Sequence, residues 1–371
     1  MKVTLNLTHR CNLSCSYCYG GKKVLKDMSL HTAQKAVDFA VEITPPDSIL
    51  ELNFFGGEPL LCFDLMNEVI KYIREMEEKS GKRVSLSITT NGTLLSDSIF
   101  DTLVKEDISL CISIDGPENI HNTNRCYKDG RGSFKDVVDN LQEAIKHVRY
   151  VQINAVYEPE TISFLPESVA FFSNFDVSGI HLNPNLKSSW TRDIYSKFGD
   201  IYMKIADFYI DCYQSGQEIA INLIDSKIVL FLKGGYTVED MCGMGETEWG
   251  IAPSGNIYPC ERFIGEDKNG ALCIGNVHTG SDSSRRCSVL KERGNFNEKC
   301  SSCGIQKYCM NWCGCTNYYA TGNTGLVGAF LCESEKAAIK ASNYVLAKLT
   351  DLDNELFIDH FMQYVHEGRR Q

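Results

Sequence analysis

Three cysteines stand near the start of the sequence, Cys11, Cys15 and Cys18, spaced C-x3-C-x2-C within THRCNLSCSYCYGG. Positions i, i+4 and i+7 would share one face of a helix, where buried cysteine serves as a small hydrophobe. Asn12, Ser14 and Ser16 favour turns and caps over helix interiors, however, and Gly20-Gly21 follows at once. The segment also opens where a strand should end, so the pattern predicts a loop. Three thiolates this close suit three irons of a four-iron cubane and leave the fourth iron without a protein ligand, an open place for chemistry.

Three further segments could do chemistry. Gly56-Gly57-Glu58-Pro59 pairs glycines that let a backbone approach a ligand with carbonyls and a carboxylate that accept hydrogen bonds from an ammonium. Thr89-Thr90-Asn91-Gly92 and Ser113-Ile114-Asp115-Gly116 offer short polar side chains suited to hydroxyl and carboxylate groups. Each is equally readable as a strand-to-helix turn. The stretch 115–133 is long for such a connection, and long loops in compact domains tend to be functional. Within it Arg125 can bind a carboxylate bidentately, and His121 can orient the loop.

A second set of cysteines reads Cys242-x12-Gly255-x4-Cys260, then Cys300-x2-Cys303-x5-Cys309-x3-Cys313, then Cys332. Paired C-x2-C ligands are as typical of structural zinc as of iron–sulfur sites, so these residues alone leave the metal open. Cys62, Cys111, Cys126, Cys212 and Cys287 read as ordinary thiols, with Cys62 and Cys111 in the core.

Positioning these residues requires regular elements. Short β-branched runs at 3–7, 49–55, 84–89, 109–114, 150–156 and 179–183 predict strands, and helical periodicity marks 32–41, 64–77, 96–104 and 134–146. Strands alternating with helices imply parallel pairing with right-handed crossovers, an α/β fold of the partial (β/α)6 TIM-type barrel class. Ligands on such a scaffold sit at the carboxyl ends of strands, where the motifs fall. The expected organisation is a barrel over 1–190, a helical bridge over 191–235, a cysteine-rich domain over 236–335 and a C-terminal helical segment over 336–371.

Composition narrows the class. With 371 residues and 43% hydrophobic side chains, the chain is long enough for a large core plus a smaller module. The 48 acidic residues against 37 basic ones give no general field for a phosphate backbone, which argues against nucleic acid as a partner. No apolar run reaches membrane-spanning length and the start lacks a secretory plan, so a cytoplasmic protein that does not enter the membrane is expected. Seventeen cysteines in a chain without an export signal point to metal binding or catalysis.

The first cysteine motif, with Tyr17 before its last cysteine, closely resembles the radical SAM superfamily, and the GGEP, TTNG and SIDG segments match its pattern in order. The resemblance implies that the open iron chelates S-adenosyl-L-methionine and that one electron cleaves it to a 5′-deoxyadenosyl radical. It implies cofactor-binding roles for Gly56, Gly57 and Glu58 at the methionine amino group, for Asn91, Ser113 and Asp115 at ribose and carboxylate, and for Arg125 at the carboxylate. Tyr17, with Val156 and Leu182, has the apolar character for the adenine. The seven later cysteines match the SPASM extension, which carries auxiliary 4Fe-4S clusters. By that match Cys300, Cys303, Cys309 and Cys332 close one cluster, while Cys242, Cys260 and Cys313 hold another. Its fourth place falls to Cys315 or Cys273, or leaves an open iron. Glu261, directly after Cys260, stands where sulfatase-maturating relatives carry an aspartate base.

The resemblance therefore implies an enzyme with three clusters that modifies a peptide or protein by hydrogen abstraction, as maturases of ribosomally made peptides do, forming a crosslink, a thioether or an oxidised side chain. An external electron donor of flavodoxin or ferredoxin type is the expected partner. With the motif beginning at Cys11, a separate leader-peptide-binding partner is a further expectation. The competing reading is a sulfatase maturase that forms formylglycine. From another class, a non-catalytic iron–sulfur or zinc scaffold, or an electron carrier, would account for the cysteines but not for the three strand-end motifs.

Overall fold

In the computed structural model residues 1–21, 24–293 and 297–367 are described, with side chains as far as Met362. The first part of the chain runs β1 (Lys2–Asn6), α1 (Leu30–Ile43), β2 (Leu50–Phe55), α2 (Phe63–Ser80), β3 (Val84–Thr90), α3 (Asp97–Lys105), β4 (Ser109–Ser113), α4 (Glu118–Asn124) and α5 (Phe134–His147). It continues with β5 (Val151–Tyr157), α6 (Leu165–Phe172), β6 (Gly179–Pro184), α7 (Arg192–Tyr195), α8 (Phe198–Gln214) and α9 (Asn222–Lys233). Beyond these lie β7 (Glu248–Ile251), β8 (Asn256–Tyr258), β9 (Gly275–Asn276), β10 (Gly280–Ser281), α10 (Ser283–Leu290), α11 (Glu298–Ser301), α12 (Gly314–Thr321), α13 (Ala329–Asp351) and α14 (Glu355–Glu367). The fold class is the expected one, mixed α/β with parallel strands joined by helical crossovers as in a partial barrel.

Two compact units are present, the first built from Met1–Ile114, His121–Gln152 and Cys242–Lys291. Its strands run in the order β10-β9-β8-β7-β1-β2-β3-β4. β1 lies between β2 and β7 and is parallel to both, with Leu5 opposite Phe54 on one side and Ile251 on the other. Val3 and Leu5 of β1 and Leu52 and Phe54 of β2, at alternate positions, are fully buried on one face, while the other face is polar, from buried Thr4 and Asn6 to exposed Glu51. Helix α1 starts at Ser29, whose hydroxyl accepts the Thr32 amide at 3.1 Å, and α2 ends on Gly81 in the left-handed region.

The second unit comprises Asp115–Ile120, Ile153–Met241 and Glu292–Gln371. Here α8 and α13 bury Tyr202, Ile205, Tyr209, Ala341 and Val345. Among the described residues no helix is long and apolar enough to cross a membrane.

Elements that the sequence did not lead one to expect include a helix after β4 and, beyond residue 236, the strands β7 and β8. The long loop after β4 contains α4, whose sequence ENIHNTN has weak helix propensity; it is held by tertiary partners, the buried His121 Nε2 lying 2.9 Å from Ser133 Oγ. Helix α9 falls within the helical stretch expected over 191–235 and is capped at its end by Gly234 with φ of +88°.

Candidate active site

The cysteine loop leaves β1 at Asn6 and is stitched to neighbouring strand ends. Gly57 N–H donates to the Thr8 carbonyl at 2.7 Å and Glu58 N–H to the Arg10 carbonyl at 2.8 Å, so the GGE turn after β2 lies against the start of the loop. A Cβ added at Gly57 would fall 2.0 Å from the Arg10 carbonyl oxygen, and one at Gly56, where φ is +146°, would fall 2.5 Å from Asn6 Oδ1. Only glycines allow this approach. On the other side Ser14 N–H donates to the Cys126 carbonyl at 2.8 Å and Ser16 N–H to that of Asn124 at 3.1 Å.

Glu58 faces inward. Its side chain is wholly buried and accepts the Asn91 amide and the Thr90 hydroxyl, both at 2.7 Å, and the Leu60 amide at 3.1 Å. Burial pushes its carboxyl up to about 7, against the pull of those hydrogen bonds. Asn91, held this way, points its side-chain amide at Asn12 Oδ1 (2.9 Å) and lies 3.8 Å from Cys11 Sγ. Asn12 in turn donates to Thr93 Oγ1 at 2.7 Å. The Asn12–Asn91–Thr93 linkage escaped sequence reading because no spacing rule connects residues about 80 apart.

Cys11 is buried, whereas Cys15 and Cys18 are half-buried. The Arg125 guanidinium stands 5.3 Å from the Tyr17 ring centre, a cation–π placement. His121 is held neutral, its pKa driven well below 6.5 by burial and then by Arg125. Ser113 is buried at the end of β4. In the second unit Asp115 Oδ1 accepts the Val156 amide at 2.9 Å, and Leu182 is core.

The first unit also holds Cys242, Cys260, Cys273 and Glu261. Cys242 Sγ lies 3.3 Å from Glu248 Oε2, and Cys260 Sγ 3.3 Å from Glu261 Oε2. Tyr19, next after Cys18, feels both Glu261 and Cys260; burial first and then Glu261 raise its pKa well above 10. The cysteine loop and the candidate base therefore share one neighbourhood. Asp267 fastens it: its carboxylate meets Lys26 Nζ at 2.6 Å, Ser254 Oγ at 2.7 Å and Asn256 Nδ2 at 3.0 Å. These partners and His9 hold it at about 2 despite burial. Cys273 Sγ contacts the Gly275 carbonyl at 3.3 Å.

In the second unit Cys300, Cys303 and Cys309 all act electrostatically on Cys332 or feel it. Cys313 and Cys315 are buried with sulfurs 3.6 Å apart. Among the described residues no three His, Cys, Asp or Glu side chains converge tightly enough for a single metal ion. A cubane does not ask for that convergence, since each thiolate takes its own iron. The donor chemistry of the Cys11 loop, and the glycine cradle beside it, fit a cluster with one open iron.

The Radical SAM superfamily profile matches residues 5–171. An uncharacterized protein of Methanocaldococcus jannaschii is 33% identical over 282 residues, covering 74% of this chain and 88% of its own. The cysteine-type anaerobic sulfatase-maturating enzyme of Clostridium novyi is 23% identical over 92% of this chain and 93% of the relative. Among solved structures, native anSMEcpe with bound AdoMet and Cp18Cys peptide superimposes with a TM-score of 0.81 at 19% identity, covering 95% of this chain and 99% of that one. Streptococcus suis SuiB bound to precursor peptide SuiA gives 0.62 at 17% identity, covering 89% and 75%. At these identities the two structures speak to fold alone.

Proposed function

Because the chain belongs to the radical SAM superfamily, we propose that it is an S-adenosylmethionine-dependent enzyme that modifies a side chain of a peptide or protein. One observation carries the reading: three thiols in a loop pinned to a glycine cradle at the carboxyl end of the first two strands. Cys11, Cys15 and Cys18 would hold a 4Fe-4S cluster. When bound, that cluster and S-adenosyl-L-methionine supply one electron and, through it, a primary carbon radical able to take hydrogen from an unactivated C–H bond.

The chain's own residues do the rest. The backbone at Gly56 and Gly57 offers carbonyls to an ammonium, Glu58 fixes Asn91, and Asn91 braces the loop at Cys11. Ser113 offers a hydroxyl to ribose, Arg125 a cation to a carboxylate, and Tyr17 a ring face to the adenine. Asp115 keeps its place by accepting the Val156 amide. Cys300, Cys303, Cys309 and Cys332 would hold one auxiliary cluster; Cys242, Cys260 and Cys313 are thiolates for another.

Peptide or protein as substrate is supported by the relatives' names and by the peptides bound in the two structures above. The preferred reading is a maturase forming a crosslink, a thioether or an oxidised side chain. Formylglycine formation is the second reading, favoured by Glu261, whose carboxylate lies 3.3 Å from Cys260 Sγ and acts electrostatically on Tyr19. The test begins with anaerobic reconstitution and a 5′-deoxyadenosine assay with dithionite; a C15A variant should form none, and formation at the wild-type rate would overturn the assignment. Cysteine-containing peptides then separate the readings by mass spectrometry. Loss of two hydrogens with sulfur retained marks a crosslink or thioether, whereas replacement of the thiol by a carbonyl oxygen, with sulfide released, marks formylglycine.

A further inference from the structure

Resting on the reading that Cys300, Cys303, Cys309 and Cys332 hold an iron–sulfur cluster, we propose that the buried ion pair Lys227–Glu335 is the positioning device that sets Cys309 against Cys332. Lys227 Nζ and Glu335 Oε2 are 2.6 Å apart, with side chains only 4% and 8% exposed. The pair closes on the backbone either side of Cys309: Lys227 Nζ donates to the Tyr308 carbonyl at 3.0 Å, and the Met310 amide donates to Glu335 Oε2. Glu335 lies on α13 three residues after Cys332, hence on the adjoining part of the same helix face. A single carboxylate thus ties the loop bearing one thiolate to the helix bearing another.

The surroundings aim the pair. Lys227 sits on α9 with its ammonium 5.5 Å from the Tyr236 ring, Tyr236 N–H donates to the Lys307 carbonyl at 2.8 Å, and the Tyr308 ring packs edge-on against Phe231 at 5.1 Å. Lys227 therefore reaches the loop through an aromatic collar. Energetics argue for positioning over stability, because desolvating both charges offsets most of their attraction and apolar side chains of similar size would serve as well for folding. Apolar replacements would lose the grip that the pair has on the Tyr308 carbonyl and the Met310 amide. Groups that orient a ligand from behind typically change metal affinity about 10–100-fold when removed.

The experiment compares wild type, C309A, K227M/E335L and E335Q after anaerobic reconstitution. It follows iron and sulfide per chain, the EPR spectrum of the dithionite-reduced protein, and iron release to EDTA. K227M/E335L should fold, with an apo-protein melting temperature near wild type, yet release the irons missing from C309A roughly 10-fold faster or more and alter their EPR signal. E335Q, which keeps an oxygen for the Met310 amide, should fall between. Wild-type release and an unchanged spectrum in K227M/E335L, or in E335Q should the double variant not fold, would overturn the positioning role alone. Iron content in C309A equal to wild type would instead overturn the cluster reading, and this inference with it.

Discussion

At Glu58 burial outweighs hydrogen bonding. Its carboxyl rises from an ordinary 4.5 to about 7, so the folded chain holds this proton more tightly than the unfolded chain does. The folded state therefore binds more protons between those values, and stability falls as pH rises through that window, by up to about 3 kcal/mol. Urea unfolding of the reduced apo-protein at about pH 5 and about pH 7.5 should show that decline. E58Q should flatten it while losing about 1–3 kcal/mol overall, since an amide offers one acceptor where three donors arrive. An equal slope in E58Q would remove the assignment. Glu261 is the other residue with a testable role: E261Q should leave 5′-deoxyadenosine formation intact and abolish substrate modification, and full turnover by E261Q would exclude it as the base.

At the scale of elements, the turn after β2 and the loop after β1 behave as one part, because Gly57 leaves no room for a methyl group against Arg10. G57A should separate them, destabilising the apo-protein by about 3 kcal/mol and lowering the iron retained by the first cluster. Unchanged thermal unfolding and iron content would show that the turn yields freely. The β-branched runs and helical periods of the first half were legible, and the candidate ligand motifs fall at the ends of those strands. Less legible were interactions that join distant segments. Nothing in ENIHNTN marks a helix until His121 meets Ser133, and nothing near residue 248 announces a strand parallel to β1. Lys227 is a lone lysine on a mostly apolar face, a position whose partner Glu335 lies 108 residues away.

At the scale of the whole molecule, folding energy is unevenly supplied. Helices α8 and α13 bury long apolar faces, and β1 to β3 bury the apolar side chains at their alternate positions. Residues 297–312, which carry Cys300, Cys303 and Cys309, are by contrast almost all exposed or half-buried, Asn311 being the exception. Such a segment gains little from the hydrophobic effect to offset the entropy of ordering it. Binding a cluster supplies that free energy, because thiolate–iron bonds form only when the ligands are brought together. Hydrogen–deuterium exchange should therefore show amides of 297–312 exchanging quickly in the apo-protein and slowly after anaerobic cluster loading, while those of α8 and α13 stay protected in both states. Equal protection of 297–312 with and without iron would mean that the segment is held by protein contacts alone, and that its cysteines are ornaments of an already rigid fold.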